Sequence, residues 1–580
     1  MEHILDYLIV KTPKFKETMK LSEPTRHAQD SMSNFWATVT QMRPGGPELT
    51  RYAVSRTVNN LIYNDAPIMT VGDTVSKYQA LPTSIDTKGL GLNAAATGVT
   101  GKMEWMKDVM KKISTQEGYT SHEFEKLASF FRSTWIQMPD ETSSPRSMRP
   151  RYVKRDFERA GHSDSGFAQG GQAVENSRLN LKNADTDSCA EGSRTPLKSS
   201  ALYMPFFSFS KYHENEISER DSRPSSALNS VKSTNERPDE MIEREYLRKR
   251  QKLFKAYEKA VIHGSSPLDE YQYHFDGDAE SSKDRDSRNR SQVVTRCITK
   301  LRRRLQTKER HTEELEMDQP NCWPIIRVGQ LWAWTIADAW LITSTSCAKS
   351  EAQSSFVYDV FEHLKRLAEE GDQVTGPATP GELLKMIVEH CVSAYEKQVN
   401  IGDEEPPQQR SIRQMFSDSI NDTVRGETDL FRLFLKRDPP AEGLTTEKLQ
   451  NATLDAAKLL YDIKDVRDEL NILKNVANLQ QRVQSDLEKS FTKGSNNNDE
   501  RDLTATYVCD DIAELEKVAE RINDALNTTI TLHESEIANL EAIEAAKQGR
   551  KIFAFTVVTI IFVSAPIPSV VVQCRSRQEP

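Results

Sequence analysis

Cysteine and histidine, the side chains best suited to metal binding and nucleophilic chemistry, are spread thinly along this chain. Seven cysteines stand at 189, 297, 322, 347, 391, 509 and 574, with no CxxC pair and no histidine at zinc-finger spacing. Zinc sites and disulfide frameworks are built from closely spaced ligands, so neither is indicated, and a reducing setting is expected for most of the chain. His363 and His390 lie in helical patterns without a histidine or carboxylate at i+3 or i+4 arranged for a metal, and read as ordinary helix residues. His533, in "HESEI", reads as one histidine on a polar helix face. GxSxG, HExxH and P-loop patterns are missing from any plausible setting. Catalysis is therefore not expected, no cofactor is indicated, and the identity of any metal ligand stays unknown.

Two stretches resemble binding elements and are read more plainly. "GLGLNA" at Gly89 has no apolar strand before it and no acidic residue on a strand beyond it, both of which a dinucleotide loop needs. A flexible turn is the expectation. The basic run 300–310, "KLRRRLQTKER", could dock an anionic lipid surface or nucleic acid. No aromatic residues interleave with it, and the net charge is -9. A solvated helix face or loop is expected there, and nucleic acid is not an expected partner.

The elements that would position any site are mostly helical. With 580 residues several domains are expected, while 37% hydrophobic and 28% charged residues suggest that long stretches are not packed. The start, "MEHILDYLIVKTPKFKE", lacks the pattern of a secretory signal. Residues 1–139 read as an uncertain, mostly helical region, and 140–200, rich in Ser, Gly, Arg, Asp and Asn, as a disordered linker. Residues 201–345 read as an α/β part with an internal disordered stretch, 214–238. Here "ALYMPFFSFSKY" reads as a buried strand, and "QLWAWTI" and "WLITS", joined by "ADA", as a hairpin whose tryptophans serve packing. Residues 346–440 are helical by period, with Pro380 and Gly381 at a helix start. Residues 441–551 form a long helical hairpin or stalk, with apolar stripes along 446–491 and 503–547 on either side of "TKGSNNNDERD". The fold class expected is thus an α+β cytosolic domain dominated by long α-helices, leading into a C-terminal transmembrane helix, with disordered linkers in the N-terminal half.

That last element is 552–573, about 22 uncharged residues, enough at 1.5 Å each to cross a hydrocarbon core of roughly 30 Å. A buried core helix or strand is the alternative. Pro566 and Pro568 fall inside it, and the regular helix before them would reach only about 21 Å. Lys547, Arg550 and Lys551 precede the segment and Arg575 and Arg577 follow it, which slightly favours the N-terminal side in the cytosol. The expected localisation is a single-pass membrane protein with its large N-terminal part cytoplasmic and the lipid bilayer as partner.

"ALYMPFFSFSKY", "PLDEYQYHF" followed by "DRDSRNRSQVVTR", "GQLWAWTIADAWLIT" and "RKIFAFTVVTIIF", in this order over roughly 200–573, together resemble the CorA-like magnesium transporter superfamily, in its divergent fungal branch. The resemblance implies a cytosolic α/β domain, a stalk helix continuous with the first membrane helix, a homo-pentamer, and Mg2+ as the transported ion. It also implies that the first membrane helices line a pore, for which Thr556 and Thr559 are the polar candidates. Their plainer reading is a hydroxyl bonded back to the helix carbonyls. The chain departs from the family pattern at three places. No Gly-Met-Asn follows Phe562, as though the chain were truncated after its first membrane helix. Gly329 stands where the family usually has an acidic residue, and Ala337 where an Asp commonly ends the strand. The function expected is a subunit of a divalent metal-ion transporter, incomplete at its filter. The alternative is a non-conducting, membrane-tethered scaffold or regulatory protein, or a truncated gene product.

Overall fold

The computed structural model describes residues 19–21, 23–34, 36–42, 51–63, 90–93, 103–138, 147–157, 197–213, 265–273, 279–309, 322–346, 377, 379–401, 408–435, 446–491 and 504–564. In chain order the elements are α1 (Arg26–Met32), β1 (Trp36–Met42), β2 (Arg51–Thr57), α2 (Val58–Tyr63), β3 (Leu90–Asn93), α3 (Met103–Gln116) and α4 (Ser121–Thr134). Then come β4 (Gln137–Met138), β5 (Ser147–Met148), β6 (Arg151–Phe157), β7 (Leu197–His213), β8 (Ser266–Pro267), α5 (Leu268–Gln272), α6 (Ala279–Ser291) and α7 (Val293–Glu309). The remainder are β9 (Cys322–Ile336), β10 (Trp340–Thr345), α8 (Pro380–Val392), β11 (Val399–Ile401), β12 (Gln408–Arg410), α9 (Ile412–Leu435), α10 (Thr446–Phe491) and α11 (Thr504–Ser564). The fold is α+β and rich in helix, and it divides into two compact units: Met1–Phe416 with Glu469–Glu514, and Ser417–Asp468 with Leu515–Pro580.

The first unit is built on an eight-stranded sheet, ordered β2-β1-β3-β10-β9-β7-β6 with β8 added against β9. All pairings are antiparallel except β3 with β10. The expected hairpin is its centre. Leu331, Trp332, Ala333, Trp334 and Ile336 are all fully buried because both faces of this antiparallel sheet are covered, and the buried polar residues of the strand, Gln330 and Thr335, are hydrogen-bonded. On one face Trp332, Trp334, Trp340, Tyr203 and Ala201 join a core with residues of α1 to α4. Phe131 stacks on Trp334 with ring centroids 4.4 Å apart. The Tyr203 hydroxyl accepts from Trp334 Nε1 at 3.1 Å and shares a 3.0 Å hydrogen bond with the Thr134 hydroxyl, so the buried polar atoms of this apolar face are paired. α4 begins at a capping box, Thr120 with Glu123, which satisfies two free helix N–H groups reciprocally.

Several expectations change here. Residues 90–93, expected as a turn, form a strand between β1 and β10. The 1–139 region contributes three strands to the sheet as well as helices. Within 140–200, expected as a disordered linker, β6 pairs with β7 from Arg151↔Tyr203 to Phe157↔Leu197. β6 is an edge strand, and edges carry charge to discourage further pairing, which is why "RYVKRDF" lacks an apolar signature. Residues 158–196, 214–238, the helix expected at about 238–263, His363 and the 492–502 turn lie outside the described residues.

Three local features follow from sequence. β7 keeps Pro205 because β6 pairs only as far as Tyr203, so beyond that point β7 has an open side where a missing N–H costs nothing. The β9–β10 turn places Ala337 at φ 56° and Asp338 at φ 51°, a two-residue geometry that glycine and asparagine favour. Gly329 is required by packing, since a Cβ there would lie 3.0 Å from the ring of Phe206, its partner across the ladder.

Along the other side of the first unit runs the later half of α10. Glu469 Oε1 accepts from the Val293 backbone N–H at 2.8 Å, at the start of α7. Gln480 Nε2 donates to the Pro205 carbonyl at 3.0 Å, and the Ser490 hydroxyl donates to Tyr152 at 3.3 Å. Lys385 of α8 pairs with Glu488 at 2.7 Å. α10 and α11 pair as the expected antiparallel hairpin: Gln484 Oε1 accepts from Ala505 N–H and Gln481 Nε2 donates to Thr506 Oγ1, each at 3.0 Å.

The second unit holds parts of α9, α10 and α11. Leu430, Ala452 and Ala456 form its apolar cluster, with Leu459 and Ile530 packed against them. At Gly426 a Cβ would come within 2.7 Å of Leu459, so the glycine permits a close helix approach. Arg467 and Glu520 lie 3.6 Å apart, continuing the antiparallel register of α10 and α11.

Candidate membrane-facing site

α11 is one uninterrupted helix of 61 residues whose environment changes along its length. Ala505, Ile512, Ala519 and Leu526 are fully buried. His533 is its last buried residue, and every residue from 541 to 564 is exposed. The apolar end is exposed on all sides, from 38% at Val557 to 81% at Val563. Successive helical residues turn about 100°, so Ile552, Phe553, Phe555, Val558, Ile560 and Ile561 cover the full circumference. A soluble helix shows one apolar stripe; an apolar helix with no polar face fits a nonpolar solvent or a wholly buried position.

Thr556 and Thr559 interrupt this surface on one side, about 60° apart around the axis. Each hydroxyl donates to the carbonyl four residues back, Thr556 to Ile552 and Thr559 to Phe555, both at 2.8 Å. The plainer reading of these hydroxyls is therefore the one the structure adopts. Their oxygens still carry acceptor capacity.

The expected transmembrane helix at 552–573 is not found: among the described residues no helix is long and apolar enough to cross a membrane. The apolar part of α11, 552–564, would extend about 20 Å against a core of roughly 30 Å. Residues 565–573, with Pro566 and Pro568, lie outside the described residues.

Among the described residues there is no group of three or more His, Cys, Asp or Glu side chains able to hold a metal ion. The buried polar nodes of the first unit instead join elements. The Tyr212 hydroxyl donates to Asp286 at 2.6 Å, and Tyr395 donates to Asp511 at 2.9 Å while Arg413 Nε donates to its other oxygen at 2.7 Å. Burial, and then the neighbouring carboxylates Glu270 and Asp286 for Tyr212 and Asp511 for Tyr395, push both phenols above their ordinary range, so they remain protonated donors. Burial foremost, then Asp510, pushes the Cys509 thiol up to about 11, which leaves little thiolate for nucleophilic chemistry. The basic run lies on α7, with Lys300 exposed.

His533 corrects a sequence expectation. It is fully buried rather than on a polar face. The phase that places it inside was present in the sequence: Leu526, Ile530 and His533 continue one stripe at four-and-three spacing, which the flanking Glu534, Ser535 and Glu536 disguise.

No family model matches the chain, and no curated protein matches it. Among solved structures it is similar to the cytoplasmic domain of ZntB from Vibrio parahaemolyticus, at 8% identity and a TM-score of 0.18, covering 37% of this chain and 62% of that one. It is also similar to the full-length CmaX protein, at 12% identity and a TM-score of 0.19, covering 43% of this chain and 61% of that one. The chain thus spans about three fifths of the length of each.

Proposed function

We propose that this chain is a subunit of a CorA-like divalent metal-ion transporter, in which α11 carries a cytosolic α+β body to the lipid bilayer. The observation that supports this most is the continuity of α11, from a core-packed beginning to an end that is apolar on every side. The ordered motifs from "ALYMPFFSFSKY" to "FAFTVVTIIF" support the same reading. On it, residues 552–573 enter the bilayer, copies of the chain associate as a homo-oligomer around the α11 ends, and Thr556 and Thr559 offer hydroxyl oxygens to the hydration shell of Mg2+. An ion that sheds water reluctantly is best selected through that shell. The protein conducts rather than catalyses.

The full chain, reconstituted in liposomes containing a Mg2+-sensitive dye, is expected to admit Mg2+, and the double variant Thr556→Val with Thr559→Val to admit less. A chain that inserts but passes no Mg2+ overturns the transport reading. The second reading, a membrane-tethered scaffold that conducts nothing, is favoured by the short reach of the apolar helix, about 20 Å at 1.5 Å per residue. It predicts firm liposome association with no flux.

A further inference from the structure

Among the described residues the second unit has one buried ionisable side chain, and the transport reading does not use it. His533 is fully buried on α11 at the point where that helix ceases to be covered. One turn before it, Ile530 packs on Leu430, Ala452 and Ala456, and Thr529 donates to Glu427 Oε1 at 3.2 Å. Both ring nitrogens are shut off from solvent, and the backbone of Leu430 on α9 is the neighbouring group that favours a proton there. We propose that His533 is a protonation-sensitive clasp: mild acid, by charging the ring, releases this stretch of α11 from α9 and α10 within the second unit.

The charged groups nearby determine whether a proton would be welcome. α9 brings Glu427, held by Thr529, and the pair Asp429–Arg432, whose side chains are 73% and 66% exposed. α10 brings the exposed pair Asp455–Lys458 and otherwise the apolar Ala452, Ala456 and Leu459. Glu534 and Glu536 flank the ring on its own helix. These ion pairs are compensated in solvent, and the cluster around Ile530 is apolar, so an imidazolium would be poorly solvated.

Burial lowers the affinity of His533 for a proton, and the Leu430 backbone opposes this only in part. The unfolded or released segment therefore binds a proton more readily than the packed one. Stability from this site is fully present above the ordinary histidine range, near 6.5, and is lost as pH falls through it toward the lowered folded value. The proposal stands apart from the transport reading and is tested without any flux.

Hydrogen exchange of the full chain, corrected for the intrinsic pH dependence of amide exchange, would be followed in peptides from 517–540 at about pH 7.5 and about pH 5.5. Protection is expected to fall severalfold, up to about tenfold, in acid while peptides from 328–345 of the sheet change little. The variant His533→Leu is expected to keep its protection at both values. Unchanged wild-type protection in acid overturns the proposal even if the variant fails to fold. So does an equal acid loss in His533→Leu, or a loss shared by the sheet.

Discussion

"QLWAWTI" in β9 and "FAFTVVTIIF" in α11 are similar in apolar content and opposite in environment. In the first, Trp332 and Trp334 are fully buried with their ring nitrogens paired; in the second, Phe555 is 75% exposed and Phe562 76%. Apolar composition by itself therefore does not distinguish a protein core from a segment that this fold leaves exposed. The distinguishing features are polar. β9 has donors that need partners and finds them in Gln330 and Tyr203, whereas the threonines of α11 satisfy their donors within their own helix.

The comparison breaks or sharpens under substitution. The largest effect is expected at the core: Trp334→Ala removes the stack on Phe131 and the hydrogen bond to Tyr203, and should cost about 3–5 kcal/mol by urea denaturation. Phe555→Ala should change the same midpoint by less than about 0.5 kcal/mol. If the two losses were alike, α11's end would be packed and the contrast would fail. Next, Ile560→Arg should weaken liposome flotation of the full chain, with an insertion cost of about 2.5–3.5 kcal/mol if the residue sits near the bilayer centre. Unimpaired flotation would count against lipid as the covering medium. Gly329→Ala should cost about 1–3 kcal/mol, because the new methyl meets the Phe206 ring, read as a shifted denaturation midpoint. The smallest effect is a gain. Ala337→Asn with Asp338→Gly puts residues tolerant of positive φ into the β9–β10 turn, and should raise stability by about 1 kcal/mol. A fall instead would mean that the Asp338 side chain contributes more than its backbone costs.

How much could be read in advance followed from how each element is buried. The β9–β10 hairpin was legible because its strands are dense in tryptophan and β-branched residues, and α10 was legible because a long amphipathic helix repeats its stripe many times. β6 was hidden because an edge strand is charged, and β3 because Gly91 sits in a four-residue strand that relies on its neighbours for definition. At the candidate site the threonine pair was legible by spacing, and the return of its hydroxyls to the helix carbonyls was the plainer of the two readings. His533 was misread because flanking residue types were weighed above helical phase. Gly329 and Ala337, visible as departures from a family pattern, acquired reasons only in three dimensions: one makes room for a ring, the other begins a tight turn.

The three polar anchors of α10 on the first unit, Glu469, Gln480 and Ser490, are spaced by eleven and ten residues. Eleven residues make just over three turns and ten about 2.8, so Glu469 and Gln480 lie nearly in line while Ser490 sits about 80° around the axis from Gln480, and together the anchors act as a key does on a shaft. Neither rotation nor sliding can be taken up by one anchor while the others hold. A pull along α10 should therefore meet stiff resistance and then a single abrupt slip, visible as one rupture step in force spectroscopy rather than a gradual creep.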